Sequence, residues 1–166
     1  MTGKALARNG STVTSQRNVP ANKRGGWLLR DFPQIANGET VGVKVEGEMP
    51  IVAALTHFDA NKQYGYGTLG TPSLGETQGV TPEGEFAVGG TEEAIGILNA
   101  GTVEADVTLT FSFTNGSAYR RQVLVAAGTR STVQVADLPG FPLGQAYSVS
   151  YTSSQPVALT LQSQSG

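Results

Sequence analysis

The sequence predicts an all-β protein made of two tandem antiparallel β-sandwiches. Three observations lead to this prediction. Residues 1–60 align with 107–166 without a gap, and 14 of the 60 aligned pairs are identical. In the second copy apolar and polar residues alternate over short segments, the period-two pattern of a strand with one buried face. The 22 glycines and 8 prolines fall largely between such segments, and no helical periodicity is present.

The repeat is clearest at turn-forming and charged residues. Identical residues 106 positions apart include Asn9/Asn115, Gly10/Gly116, Ser11/Ser117, Arg24/Arg130, Asp31/Asp137, Pro33/Pro139, Gly38/Gly144 and Pro50/Pro156. Internal self-similarity of this kind indicates repeated structural units. We therefore predict a truncated β-sandwich repeat over 1–60 and a complete repeat over 85–166. Between them, 61–84 is a Gly/Pro-rich connector in which only short extended pieces are expected.

The second copy predicts most of the strands. Residues 107–113 and 119–125 alternate on either side of Asn115-Gly116, for which we predict a hairpin with a type I′ turn. Further strands are predicted at 129–135, 147–151 and 157–161, and upstream at 85–88 and 93–98. About seven short strands with turns between them favour a sandwich.

The first copy is expected to lack its opening strands. It follows the same course as the second copy, with 41–45 and 51–55 in the places of 147–151 and 157–161. Its first residue aligns with Val107, so nothing in it corresponds to the strands predicted at 85–88 and 93–98. A sandwich short of strands leaves an open sheet edge. Such an edge can accept a strand from another chain, and heterologous pairing that does not close builds filaments.

Three motifs resemble a tandem repeat of bacterial secreted and cell-surface proteins. In the second copy they are Ala94-Ile-Gly-Ile-Leu-Asn-Ala-Gly, Val125-Ala-Ala-Gly-Thr-Arg-Ser-Thr-Val and Ser154-Gln-Pro-Val-Ala-Leu, and the first copy matches the last two at 19–24 and 48–53. The resemblance implies immunoglobulin-like sandwiches and an extracellular or cell-surface location. The family has no established catalytic residues, so the resemblance implies none here.

Composition excludes several classes of function. Because the chain has no cysteine, it forms no disulfide, thiolate metal site or cysteine nucleophile. A net charge of −2 provides no general positive field for nucleic acid. No apolar segment approaches the ~18–20 residues of a membrane span. No apolar core of signal-peptide length follows Met1, so no export signal is expected in this chain.

We predict no catalytic residue, metal site or cofactor. His57 is the only histidine and is interpreted as structural or partly exposed. Residues 59–63 begin like a calcium loop, but the glycine and the final Glu of that loop are not at the required spacing. This segment is interpreted as a polar turn. The neighbouring carboxylates Glu46 and Glu48, like Glu92 and Glu93, are interpreted as solvated charges.

The candidate interaction residues are aromatic. Trp27, Tyr64 and Tyr66 could form a platform for a sugar, although Trp27 aligns with Val133, which favours a core or interface position. Asn9 and Asn115 lie in Asn-Gly-Ser sequons and are candidate glycosylation sites in an exported protein.

The expected function is a non-enzymatic structural or interaction module of an extracellular assembly. Its partner would be a protein, or a second copy of the chain, that pairs with an open sheet edge. The alternative is a carbohydrate-binding or enzyme-accessory module, and a hydrolase that uses carboxylates alone is the least favoured hypothesis.

Overall fold

A computed structural model describes residues 1–7, 11–35, 41–59, 64–71, 73–85, 91–142 and 144–165. The described residues are mostly in antiparallel strands and contain almost no helix, which confirms the prediction of an all-β protein. The strands are β1 (Thr2–Ala7), β2 (Thr12–Gln16), β3 (Val41–Glu46), β4 (Ala54–Asp59), β5 (Tyr64–Leu69), β6 (Glu76–Glu85), β7 (Thr91–Asn99), β8 (Ala105–Phe113), β9 (Ala118–Val125), β10 (Thr129–Gln134) and β11 (Ala146–Ser165). Two 3-10 turns cover Leu29–Asp31 and Val135–Asp137.

The second copy forms one curled sheet of half-barrel shape. Its strand order is β10-β7-β11-β8-β9, and β6 also pairs with β11. The 20-residue strand β11 joins the two parts, because its first half pairs with β6 and β8 while its second half pairs with β7. The register on β6 shifts between Thr152 and Val157, around Pro156. Such an irregularity bends a strand without a loop, so the two strands predicted at 147–151 and 157–161 are one.

The hydrophobic core lies inside this curl. Inward-facing residues of β7, β8 and β11 dominate it, and those with no exposed surface are Ile95, Ile97, Ala105, Val107, Leu109, Phe111 and Val157. At one end the rings of Phe111, Phe113, Tyr119, Phe141 and Tyr147 meet edge to face, with centroids 5.0–6.1 Å apart. Edge-to-face packing is the arrangement that the ring quadrupoles favour.

The first copy repeats part of this architecture in the same register. The order β2-β1-β3 corresponds to β9-β8-β11. Ala5 pairs with Val13 and Val43. The residues 106 positions later pair in the same way, since Phe111 pairs with Tyr119 and Val149. Every pair that β1 makes with β2 and β3 has such a counterpart, so the sequence repeat is also a structural repeat.

The turns repeat as well. The 3-10 turn Leu29–Asp31 has its counterpart in Val135–Asp137. Asn22 has a φ of 59° and its counterpart Gly128 a φ of 67°. The same left-handed turn therefore precedes residues 23–28 in the first copy and β10 in the second. Asparagine is one of the few residues other than glycine that adopt this conformation readily.

The copies differ at the positions of β6 and β7. Residues 23–28 align with the whole of β10 but form no strand. The strand β4 aligns with the end of β11 but pairs with β5 in a hairpin. In the second copy both of these segments are neighbours of β7. Among the described residues of the first copy, no strand occupies the place of β7 on the three-stranded sheet, which explains why 23–28 does not become one.

The segment 61–84 is more regular than expected. It contains β5 and most of the ten-residue strand β6. The expectation of only short extended pieces is therefore wrong for β6, which pairs with β11 from Ala146 to Val157. Pairing with a distant strand stabilises an extended segment that its own glycine and proline content does not favour.

The predicted hairpin between β8 and β9 is confirmed, but the predicted type I′ turn is wrong. Phe113 N–H donates to Ser117 O and Gly116 N–H to Phe113 O, both at 3.0 Å. Gly116 has a φ of 83°, whereas Asn115 does not have a positive φ. This is the three-residue loop with a single left-handed glycine, which needs only one residue of positive φ.

The two copies contact each other through their outer faces. A Cβ placed on Gly42 of β3 would lie 2.3 Å from Leu98 Cδ1 of β7. The missing side chain at Gly42 therefore lets the three-stranded sheet approach β7 closely.

Candidate functional site

The candidate site is the three-stranded sheet β2-β1-β3, with its inner face and the outer edge of β3. The inner face carries small residues, because Gly3 and Ala5 occupy the places of Leu109 and Phe111. The ring of Trp27 fills this space, and a Cβ on Gly3 would lie 2.9 Å from Trp27 Cζ3. A large side chain from the loop thus replaces the volume that the strand lacks.

Trp27 is held in place by polar contacts. Its Nε1–H donates to Ser15 Oγ at 3.0 Å. Arg17 donates through its guanidinium to the carbonyl of Gly26, and its backbone N–H donates to Met1 O at 2.9 Å. These bonds connect the loop before Trp27 to the ends of β1 and β2.

The inner face leaves little room for a ligand. Trp27, Leu29 and Phe32 cover it, and Val13 and Val43 line the strands below. The pocket between these residues has a volume of about 20 Å³, which is sufficient for one water molecule. Small-molecule sites are usually more than ten times larger, about 300–1,000 Å³.

Unlike the inner face, the outer edge of β3 offers hydrogen-bonding groups. This edge is the side of β3 away from β1, and every second residue of β3 directs its backbone N–H and C=O groups to it. In antiparallel sheets alternate residues bond to opposite neighbours. Arg17 N–H donates to Met1 O, so the odd-numbered residues of β1 form their backbone hydrogen bonds with β2. The even-numbered residues of β1 therefore bond to β3. Their partners on β3 are even-numbered too. The N–H and C=O groups of Val41, Val43 and Val45 consequently point to the outer edge.

In the second copy the equivalent edge is paired. Tyr147, Val149 and Tyr151 correspond to the three valines, and β6 lies beside them. The hydroxyl of Thr81 on β6 donates to Val149 O at 3.3 Å. In the described part of the first copy, no strand pairs with β3 at this edge. The outer edge of β3 is thus the counterpart of an edge that is paired in the second copy.

Apolar residues are exposed directly after β3. Met49 is 75 % exposed, Val52 90 % and Ile51 44 %, whereas Val157, the counterpart of Ile51, is completely buried. Exposed apolar side chains that lie together beside an open edge indicate an interaction surface. On the outer face of β3, Lys44 Nζ lies 2.7 Å from Glu46 Oε1.

A buried acid in the second copy was missed by the sequence analysis. Glu93 is only 2 % exposed and Tyr147 3 %, and the Tyr147 hydroxyl donates to Glu93 Oε2. Burial, followed by this hydrogen bond and the negative charge of Glu93, raises the pKa of Tyr147 well above its usual value. The interpretation of Glu93 as a solvated charge is wrong. Glu93 lies two and four residues before the buried Ile95 and Ile97, so on a strand it faces the same side as they do. This alternation is the feature of the sequence that indicates its burial.

The structure places the other candidate residues on separate elements. Tyr64 and Tyr66 lie on β5, opposite Asp59 and His57 of β4, and their side chains are outside the described part. His57 is exposed. The calcium-like segment continues into 60–63, which the structure does not describe, and the same holds for Asn9.

Asn115 is exposed at the tip of its hairpin. Its Oδ1 accepts hydrogen bonds from Ser117 N–H at 2.9 Å and from Ser117 Oγ–H at 2.7 Å. Within the described residues no three His, Cys, Asp or Glu side chains are placed to hold a metal. Nor does that part of the chain contain a helix long and apolar enough to cross a membrane.

No protein-family model matches the sequence, and no curated protein matches it. Among solved structures, the Thermotoga maritima protein 1070 is 22% identical, with a TM-score of 0.50 over 57% of this chain and 95% of that chain. The Anabaena sensory rhodopsin transducer is 23% identical, with a TM-score of 0.49 over 55% and 92%. The similarity to the Thermotoga protein supports a β-rich domain in just over half of the chain.

Proposed function

We propose that the chain is a non-enzymatic structural and interaction module of an extracellular or cell-surface assembly, and that it associates through strand pairing at the outer edge of β3. In this proposal the chain consists of two tandem immunoglobulin-like sandwiches, the first without its opening strands. The observation that carries the proposal is the outward direction of the backbone groups of Val41, Val43 and Val45, whose counterparts pair with β6.

Strand addition at this edge is physically favourable. The added strand would satisfy the backbone groups of the three valines, and such main-chain hydrogen bonds provide the affinity in strand-addition complexes. It would also cover apolar surface at Met49 and Val52, which are strongly exposed. Removing apolar surface from water is the main favourable contribution to association.

The edge of β3 is protected only by two charges of opposite sign, Lys44 and Glu46, which pair with each other. Natural edge strands are protected by proline, charge or bulges. The edge strand β9 carries two exposed arginines, Arg120 and Arg121. β3 contains no proline, and its outward backbone groups belong to three valines. Of these two edges, β3 is the better site for an additional strand.

The alternative is a carbohydrate-binding module that uses Trp27, Tyr64 and Tyr66. It has less support, because the Trp27 ring covers Gly3 and its N–H donates to Ser15. A sugar platform would need this ring face to be available to solvent.

The substitution Val45→Pro tests the proposal. Proline removes the N–H of residue 45 from the outer edge, while the hydrogen bonds between β3 and β1 run through even-numbered residues. Val45→Thr is the matched control, because it keeps the N–H and the β-branched shape. Size-exclusion chromatography with light scattering, over a range of concentrations, should show association for the wild type and Val45→Thr, and its loss for Val45→Pro.

Circular dichroism and the fluorescence of Trp27, the only tryptophan, verify that each variant is folded. A wild-type chain that is monomeric at every concentration, both alone and with extracts of its host's surface proteins, would contradict the proposal. Association that Val45→Pro leaves unchanged would contradict it equally.

A further inference from the structure

We infer that the strand that pairs with β3 is β3 of a second copy of this chain, in an antiparallel two-fold arrangement centred on Val45. This inference rests on the proposed function, because it names the partner of the same edge. An isologous contact of this kind uses one surface patch twice and closes a dimer. The result would be a six-stranded sheet of order β2-β1-β3-β3-β1-β2, in which residues 44–46 of the two copies of β3 lie opposite each other.

The hydrogen-bonding pattern restricts the register. Val41, Val43 and Val45 direct their backbone groups outward, so they must lie opposite odd-numbered residues of the other copy, which holds for every two-fold axis that passes through a residue of β3. An axis through Lys44 or Glu46 places two like charges opposite each other, and an axis through Gly42 does not bring Lys44 and Glu46 together. The axis through Val45 places Lys44 opposite Glu46 of the partner subunit. The axis through Val43 places Lys44 opposite a glycine, and that through Val41 does not bring these charges together.

The charges on β3 therefore select the Val45-centred register. Within one chain Lys44 Nζ and Glu46 Oε1 are 2.7 Å apart on the outer face. Two copies in this register form a rectangle of alternating charges, in which each lysine has a glutamate beside it and another opposite. Opposite charges directly across a strand pair are favourable and like charges are unfavourable.

The same register covers part of the exposed apolar segment. Gly47 and Met49 of each copy lie opposite Val43 and Val41 of the other copy. Met49, which is exposed in one chain, then lies next to Val41. Charge pairing and apolar burial thus favour the same arrangement.

Single-cysteine variants test the axis directly, because the wild-type chain has no cysteine. At the axis two Val45→Cys residues form a hydrogen-bonded pair with Cα atoms about 5.5 Å apart, within the range for a disulfide. Two Val43→Cys residues would be about 14 Å apart along the strands. We expect mild oxidation to crosslink Val45→Cys into a dimer and to leave Val43→Cys at least tenfold less crosslinked. Crosslinking that is equal, or stronger at Val43→Cys, would overturn the inference.

Charge reversal provides the second test. Lys44→Glu and Glu46→Lys should each weaken self-association about tenfold, because each places like charges opposite each other. An equimolar mixture of the two variants restores both opposite-charge pairs, so it should associate as heterodimers with wild-type affinity. The double swap Lys44→Glu with Glu46→Lys should also associate like the wild type. A mixture that associates no better than the separate variants would overturn the Val45-centred register.

The two levels of the proposal fail differently. If Val45→Pro abolishes association with another protein while purified chains neither self-associate nor crosslink at Val45→Cys, the inference is wrong and the proposed function stands. If the wild type forms no complex with itself or with any other protein, both are wrong.

Discussion

Replacing Tyr147 with phenylalanine should destabilise the second copy, because it removes the hydroxyl that donates to the buried carboxylate of Glu93. The ring would keep its edge-to-face contacts with Phe111 and Phe141, both at 5.4 Å between centroids, so the loss is confined to the hydroxyl. That hydroxyl donates to Glu93, which is 2 % exposed. A hydrogen bond to a charged group contributes about 1.5–3 kcal/mol, and breaking a buried pair of charged or strongly polar groups costs up to ~5 kcal/mol. We expect a loss of about 3 kcal/mol.

Urea denaturation at pH 7, followed by far-UV circular dichroism, measures this loss. For a domain of about 80 residues ~1 kcal/mol shifts the melting temperature by about 4–8 °C, so Tyr147→Phe should melt roughly 12–24 °C lower. Tyr119→Phe is the matched control. Tyr119 packs in the same aromatic cluster, and its hydroxyl forms no hydrogen bond with the described residues, so it should lose less than about 0.5 kcal/mol.

A second variant separates the buried charge from the lost hydrogen bond. Adding Glu93→Leu to Tyr147→Phe removes the carboxylate that the single variant leaves without the tyrosine hydroxyl. Replacing both partners by apolar groups is often close to neutral, so the double variant should recover most of the stability. A double variant as unstable as Tyr147→Phe alone, or a single variant that loses less than about 1 kcal/mol, would refute the reasoning.

Three further predictions concern pH and close contacts. The folded state keeps the proton of Tyr147 above the unfolded pKa of about 10. The free energy of unfolding should therefore fall by up to ~1.4 kcal/mol per pH unit above pH 10, because the unfolded state loses this proton and the folded state keeps it. Tyr147→Phe lacks the proton, so its free energy of unfolding should fall less steeply. Urea titrations at pH 9–12 measure both slopes. Gly42→Ala places a Cβ 2.3 Å from Leu98 Cδ1 and should lower the free energy of unfolding by about 1–3 kcal/mol. In a double-mutant cycle, Leu98→Ala should recover most of this loss. No recovery would contradict the contact. Gly3→Ala forces the ring of Trp27 outward, because the new Cβ would lie 2.9 Å from Cζ3. A red shift of the tryptophan emission reports this movement, and an unchanged spectrum would contradict it.

The outcome for individual elements shows how far local patterns suffice. The strands around Asn115 follow from alternation and from one turn, all within 20 residues, and the hairpin is correct. The turn type is wrong, because Asn-Gly is compatible with more than one loop length and the strand register selects among them. β6 was missed because nothing local favours a strand in 76–85 as strongly as the edge of β11 does.

The candidate site divides in the same way. Trp27 was recognised from its residue type and from its alignment with Val133, and it does lie on the inner face of a sheet. That its ring compensates for Gly3 requires knowledge of which strand lies beneath it. The charge of Glu93 favours a solvent-exposed position, whereas its position in alternation with the buried Ile95 and Ile97 places it inside. Its partner Tyr147 is 54 residues away, and only the folded chain brings the two together.

The all-β class, the 106-residue repeat and the main hairpin follow from the amino-acid sequence alone, because alternation, turn residues and duplication are local or directly comparable along the chain. Which strands pair is visible only in the folded chain. The tertiary structure merged two predicted strands into β11, paired β4 with β5 and left the outer edge of β3 without a neighbour among the described residues. The physical reason is that strand pairing depends on backbone groups, which are the same in every residue. A strand therefore pairs with whichever edge the rest of the fold brings beside it.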